Sequence, residues 1–159
     1  MDRVVTIARM VLVAVSIILT GVGWSGAMAE DIPVKDLLAR GGEKAREGNY
    51  AGAIEDYTGI LAREPELAEV YLLRGYARAG LGDQTRAIGD YTRAIAIKPD
   101  SAQSFLGRGA AQEALANPPG AIADYRRAAR LFLEQGNTAG HERAAGLAGK
   151  LESTYGLRQ

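Results

Sequence analysis

Residues 68–101 read AEVYLLRGYARAGLGDQTRAIGDYTRAIAIKPDS, and this stretch decides the fold because the segments on both sides repeat it. Residues 34–67 and 102–135 align with it at a spacing of 34 residues, without a gap. Three dipeptides recur at the same place in every segment: Arg40-Gly41, Arg74-Gly75 and Arg108-Gly109; Ala53-Ile54, Ala87-Ile88 and Ala121-Ile122; Asp56-Tyr57, Asp90-Tyr91 and Asp124-Tyr125. A fixed period of this length predicts a stack of identical supersecondary units.

Each segment is predicted to form two helices joined by a short turn. Gly48-Asn49 and Gly82-Asp83 end the first helix, and Asn117-Pro118-Pro119 takes the same place in the third segment. Pro65 and Pro99 end the second helix, because proline disfavours helical geometry in the residue before it. The repeated glycine and alanine are expected to face each other and let the helices approach, with the repeated tyrosine filling the space between them. One such hairpin cannot bury its apolar face alone, so the three must stack.

On these residues the sequence resembles the tetratricopeptide repeat (TPR) family. The resemblance covers residues 34–135 and implies an all-α helix–turn–helix solenoid of three repeats and six helices, with repeats at 34–67, 68–101 and 102–135. The family's large and small packing positions fall on the following residues: Leu37, Tyr71 and Phe105; Gly41, Gly75 and Gly109; Ala53, Ala87 and Ala121; Ile60, Ala94 and Ala128. Leu133 stands where the earlier repeats have their proline, so the last of these helices is expected to run on toward Glu134.

Residues 136–159 are predicted to add one more helix. After Gly136-Asn137-Thr138, apolar residues recur at helical spacing, namely Ala144, Leu147, Ala148, Leu151 and Tyr155. We expect an amphipathic helix of about 18 residues that caps the solenoid where a fourth repeat would otherwise stack. A helix that binds a partner or a membrane surface is the alternative. It is disfavoured because the apolar face is narrow, rich in alanine and not basic.

Residues 1–29 have the order of a secretory signal peptide. Arg3 and Arg9 precede an apolar run from Met10 to Val22, which is shorter than the roughly 20 residues that span a membrane. Ala27-Met28-Ala29 follows as a cleavage site. We expect residues 30–33 to become a short N-terminal segment of a periplasmic or secreted protein that is free of the membrane after cleavage. A leader retained as an anchor is the alternative.

The composition excludes most chemistry. Nineteen basic and 19 acidic residues without a basic block argue against a nucleic-acid partner. The absence of cysteine and the single His141 exclude a thiolate zinc site, an iron–sulfur cluster and cysteine catalysis. No phosphate-binding loop, dinucleotide fingerprint or activated serine is present. We therefore predict a protein that is not an enzyme and has no cofactor or metal site, with His141 exposed in the first turn of the last helix.

The repeated arginine and aspartate lie sixteen residues apart in every repeat. In an antiparallel hairpin such positions have similar heights on the two helices. We therefore predict one ion pair within each repeat: Arg40–Asp56, Arg74–Asp90 and Arg108–Asp124. A basic stripe that binds an acidic partner is the alternative use of the three arginines.

The remaining candidate site is the concave groove, which the resemblance places on the first helix of each repeat. The clamp for chaperone-tail carboxylates found in some TPR domains is absent, because its positions hold Leu38, Gly42, Leu73, Gln103 and Gly107. The groove is instead predicted to be apolar, with six candidate partner-binding residues: Leu38, Leu72, Leu73, Tyr76, Leu106 and Ala110. Alternatively, these side chains only pack on neighbouring helices or on the N-terminal segment.

The sequence thus predicts an exported scaffold or adaptor that binds a partner protein or peptide non-covalently in cell-envelope assembly. Self-association into a structural subunit of an envelope complex is the alternative function. The identity of the partner is not encoded in a recognisable motif.

Overall fold

The computed structural model describes residues 32–157, which contain seven α-helices and no β-strand. The helices are α1 (Val34–Arg46), α2 (Tyr50–Arg63), α3 (Ala68–Gly80), α4 (Gln84–Ile97), α5 (Ala102–Ala114), α6 (Pro118–Glu134) and α7 (Thr138–Tyr155). They form three hairpins followed by one further helix. The predicted signal peptide and most of the segment 30–33 lie outside the described residues.

Turn chemistry fixes where the helices begin and end. The side chains of Asn49, Asp83 and Asn117 each accept a hydrogen bond from a backbone N–H three residues on, which caps α2, α4 and α6. Asn137 caps α7 in the same way, at 2.8 Å from the Gly140 nitrogen. The second helices of the first two repeats end just before Pro65 and Pro99, as predicted. Helix α6 runs to Glu134, also as predicted, and has 17 residues where α2 and α4 have 14.

One turn position departs from the pattern. The residue after the first helix has a positive φ of 79° at Gly48 and 81° at Gly82, a conformation that suits glycine. The third repeat has Ala116 at this position, with φ 55°. A side chain in this left-handed region carries a steric cost that the other two repeats avoid.

The core consists of the repeated small and aromatic residues. The second-helix alanines Ala53, Ala87 and Ala121 are fully buried, and Tyr57, Tyr91 and Tyr125 are each 1% exposed. The tyrosines fill the space between the helices, as predicted.

The repeated glycines have a different role from the one expected. We predicted that each glycine faces the alanine of the second helix, but it faces the tyrosine ring. A Cβ on Gly75 would lie 2.6 Å from Cε1 of Tyr91, and one on Gly41 would lie 2.8 Å from Cε1 of Tyr57. The glycine therefore makes room for the ring rather than for a close approach of two small residues.

All three Arg–Asp pairs predicted from the spacing of sixteen are present, and each is bidentate. Nε of Arg40, Arg74 and Arg108 lies 3.0, 3.0 and 2.8 Å from Oδ2 of Asp56, Asp90 and Asp124, and Nη2 bonds the other carboxylate oxygen. The three aspartates are buried. Hydrogen bonding from Arg40 holds the pKa of Asp56 below its ordinary value, against the opposing effect of burial.

The arginines also join neighbouring repeats. Nη1 of Arg74 donates to the Thr58 hydroxyl at 3.1 Å, and Nη1 of Arg108 donates to Thr92 at 3.2 Å. Each threonine belongs to the preceding repeat. Two of the guanidinium groups therefore fix both the register within a hairpin and the stacking between hairpins, which leaves them engaged rather than offered to a partner.

A second cation was missed at the sequence stage of reasoning, although its repeat spacing marks it. Lys44 lies 2.9 Å from Asp56, and Arg78, 34 residues on, lies 2.8 Å from Asp90. The third repeat has Gln112 at this position, whose buried Oε1 accepts no hydrogen bond within the described residues. Asp124 is thus left with Arg108 as its cation there.

Candidate functional site

The inner surface of the stack is built by the first helices of the hairpins. Helix α3 contacts α1 on one side and α5 on the other, so these helices lie side by side. Two adjoining cavities, of about 390 and 340 Å³, open along the inner surface. Both are walled in part by Gln103, Phe132 and Asn137, so they form one groove.

Three of the six predicted groove residues line these cavities. Leu72 lines the larger cavity, and Tyr76 and Leu106 line the smaller one. The other three line neither cavity: Leu38 and Leu73 are half-buried, and Ala110 is exposed. The groove is therefore centred on α3, α5 and the end of the chain, not on the first repeat.

Tyr76 is the exposed aromatic side chain of the groove. It is 40% exposed, and its ring lies edge-on to Tyr91, with centroids 5.5 Å apart. Its hydroxyl donates to the Gln103 carbonyl at 3.4 Å, a long bond. The Tyr91 ring beneath it is confined, because a Cβ on Gly75 or on Gly107 would lie 2.6 or 2.8 Å from it. The groove aromatic therefore rests on a rigid base.

The last helix supplies part of the groove, which sequence reasoning missed. Ala139, Gly140 and Arg143 of α7 wall the smaller cavity together with Phe132 of α6. Gly140 packs on the Phe132 ring, since a Cβ on Gly140 would lie 2.7 Å from ring atoms. The helix caps the stack as predicted, with Ala144, Ala148 and Leu151 buried. It also extends the inner surface as a first helix would.

Charge is distributed unevenly along the groove. The larger cavity is bordered by Glu69, Asp100 and Lys98, and the smaller one by Arg143. Burial raises the pKa of Tyr76, and the positive charge of Arg143 acts in the opposite direction. The two ends of the groove thus differ in electrostatic character.

The structure gives the predicted features of catalysis no support in this region. Within residues 32–157 no group of three or more His, Asp or Glu side chains could hold a metal ion. His141 was expected to be exposed, but it is half-buried, and its Nδ1 lies 3.0 Å from the Ala129 carbonyl oxygen. It packs α7 against α6, because Ala129 lies on the inward side of that helix. None of the described helices is long and apolar enough to cross a membrane.

No family model and no curated protein matches this sequence. Solved structures do match its fold. The TPR2B domain of yeast Sti1, in a complex titled with pHsp70, superposes with a TM-score of 0.72 at 24% identity, over 76% of this chain and 97% of that one. The chain has the fold of a TPR domain.

Two further TPR-fold neighbours extend the comparison. PcrH, in complex with the chaperone-binding region of PopD, superposes with a TM-score of 0.74 at 18% identity, over 76% of this chain and 92% of the other. The first TPR domain of Spaghetti (RPAP3), bound to the HSP90 peptide SRMEEVD, gives 0.65 at 25% identity over 74% and 92%. The TPR solenoid with a terminal helix predicted from the repeats is therefore the observed fold.

Proposed function

We propose that this TPR chain is an adaptor that binds a segment of a partner protein in its inner groove. The observation that carries the proposal is the exposed Tyr76 ring, held on the confined Tyr91 and bordered by Leu72, Leu106 and two open cavities. A preformed aromatic and apolar groove lowers the ordering cost of binding and suits hydrophobic anchors of a peptide or helix.

The named partners of the structural neighbours support this proposal without defining the partner. The titles of those structures name an Hsp70 complex, an HSP90 peptide and the chaperone-binding region of another protein. Each is a protein or peptide ligand. Fold does not determine function, so the argument for this chain rests on its own groove.

Site-specific photo-crosslinking in the native cells tests the groove directly. A photoreactive phenylalanine analogue at Tyr76 is expected to give a discrete adduct with a second protein. The matched control carries the same analogue at Ala123, an exposed position on α6, and should give none. Adducts of equal yield from both positions, or none from Tyr76, would contradict binding in the groove.

We further propose that the adaptor works outside the cytoplasm, in cell-envelope assembly. The support is the order of charged, apolar and small residues in the first 29 positions, which is that of a cleaved signal peptide. N-terminal sequencing of the protein from its own cells should begin at Glu30. A retained Met1 would argue for an anchored or cytoplasmic protein.

Self-association is the second candidate, and one edge of the solenoid favours it. Leu81 and Leu115, 34 residues apart, are 54% and 50% exposed where α3 and α5 end. Tyr155 and Leu157, 53% and 41% exposed, lie where α7 ends. Because short turns make successive helices antiparallel, these ends share one edge, which is the kind of apolar row that a second copy could cover. Sedimentation of the chain and of Leu115→Glu tests this; a monomer at all concentrations would reject it.

A further inference from the structure

The smaller cavity contains a cation that the fold does not use. Arg143 lines this cavity and is exposed. Within the described part of the chain its guanidinium makes no ion pair or hydrogen bond. By contrast, Arg74 and Arg108 of the inner helices are bound to buried aspartates. The structure therefore does not need the charge of Arg143 for packing.

The surroundings of Arg143 do not neutralise it either. None of the described residues that wall this cavity is acidic. Glu113, at the end of the neighbouring helix α5, accepts a hydrogen bond from the Tyr125 hydroxyl at 2.7 Å. The charge of Arg143 reaches the groove, because it acts on the Tyr76 and Tyr125 hydroxyls and opposes the rise in pKa that burial causes in both.

The rest of the cavity wall is apolar or neutral. Tyr76, Leu106 and Phe132 present ring and aliphatic surface, and Gln103 and Asn137 are uncharged polar residues. An unpaired guanidinium at the end of an apolar slot is complementary to a carboxylate, with which arginine forms two parallel hydrogen bonds. A nucleic acid would need several cations to hold its phosphates, which this cavity does not supply.

We propose that the smaller cavity selects a protein segment in which an apolar anchor is followed within three residues by a carboxylate that pairs with Arg143. The inference rests on the proposed groove function and specifies the partner's chemistry. The spacing follows from size, because a cavity of about 340 Å³ is roughly 9 Å across and an extended chain advances about 3.3 Å per residue. The anchor packs on Tyr76 and Leu106, and the carboxylate lies at the α7 side of the cavity.

Selection from displayed peptides tests the proposal without knowledge of the partner. The chain, purified as its own cells produce it, is exposed to two libraries of random 12-residue peptides, one with a free C-terminus and one extended by a neutral tail. Selected peptides are expected to carry a large apolar residue with Asp, Glu or the terminal carboxylate one to three residues later. The two libraries distinguish a side-chain carboxylate from a terminal one.

Resynthesised peptides then assign the charge to Arg143. Replacing the selected Glu by Gln, or amidating the selected terminus, should weaken binding about five-fold, as expected for an ion pair worth about 1 kcal/mol. Arg143→Gln should cause the same loss and remove the preference between Glu and Gln. Arg130→Gln is the matched control, since Arg130 is exposed on the outer helix α6 and its replacement removes the same charge.

The outcomes separate this inference from the function on which it rests. If Tyr76→Ala abolishes binding of the selected peptides while Glu and Gln peptides bind Arg143→Gln and the native chain alike, the groove binds peptides and the carboxylate proposal is wrong. If the native chain retains no peptide from either library, both proposals fail. Equal losses from Arg143→Gln and Arg130→Gln would show general charge attraction, which also overturns the assignment.

Discussion

Replacement of Gly75 by alanine should destabilise this protein, although the same change usually stabilises a helix. Gly75 lies inside α3, and a Cβ there would be 2.6 Å from Cε1, 2.8 Å from Cδ1 and 3.1 Å from Cζ of Tyr91. The ring is 1% exposed and is also approached by Gly107 of α5, so its movement away from α3 is limited. The new methyl group must therefore displace a helix or strain the ring.

The magnitude follows from two opposing effects. Overpacking a close-packed site costs about 1–3 kcal/mol. Alanine recovers about 0.5–1 kcal/mol over glycine in a helix interior. The free energy of unfolding should therefore fall by about 0.5–2 kcal/mol. The matched control is Gly89→Ala in α4, where nothing lies within 4 Å of a new Cβ, and which should stabilise by about 0.5–1 kcal/mol.

Urea unfolding followed by circular dichroism measures both variants against the native chain. The midpoint is expected to decrease for Gly75→Ala and to increase for Gly89→Ala. If both variants gain stability by similar amounts, the Tyr91 ring is not confined between α3 and α5. In that case the rigid base that we assign to Tyr76 would be wrong.

Three further predictions concern the turn and the ion pairs. Ala116→Gly should raise the free energy of unfolding by about 0.5–1 kcal/mol, since φ 55° is strained for alanine; an unchanged urea midpoint would count against strain there. Asp90→Asn should lower it by roughly 3 kcal/mol, because the change leaves Arg74 and Arg78 without their partner, whereas Glu66→Gln, in an exposed pair with Arg93, should change it by less than about 0.5 kcal/mol. Asp56 has a folded-state pKa below its unfolded value, so its contribution is present above about pH 4 and is lost as the pH falls through the folded pKa; thermal melts of Asp56→Asn should therefore lose less stability on acidification than those of the native chain, and parallel losses would refute the linkage.

Much of the scaffold was predictable because its determinants are local and recur three times. The positions of Gly82 and Asp83 predict the turn, and Pro99 predicts the end of α4, because both act through backbone geometry within a few residues. The Arg74–Asp90 pair was also predictable, since a hairpin with a short turn fixes which residues face each other. Signal cleavage and export remain predictions, as they concern residues that the structure does not describe.

The groove was predicted less well. Leu72, Tyr76 and Leu106 line it, but Leu38, Leu73 and Ala110 do not line its cavities. A family pattern assigns positions on each helix separately. It does not say where neighbouring helices leave open space, because that depends on the side chains that fill each interface.

The sequence by itself determined the repeat, the helix boundaries and the ion pairs, because each follows from the periodicity of one hairpin. Only the tertiary structure decided how α7 completes the groove. The 17 residues of α6 change the register at which the chain turns back, and the packing of Gly140 on Phe132 then sets the position of α7. Arg143 enters the cavity through that packing, which depends on contacts between different helices and leaves no periodic signal in the sequence.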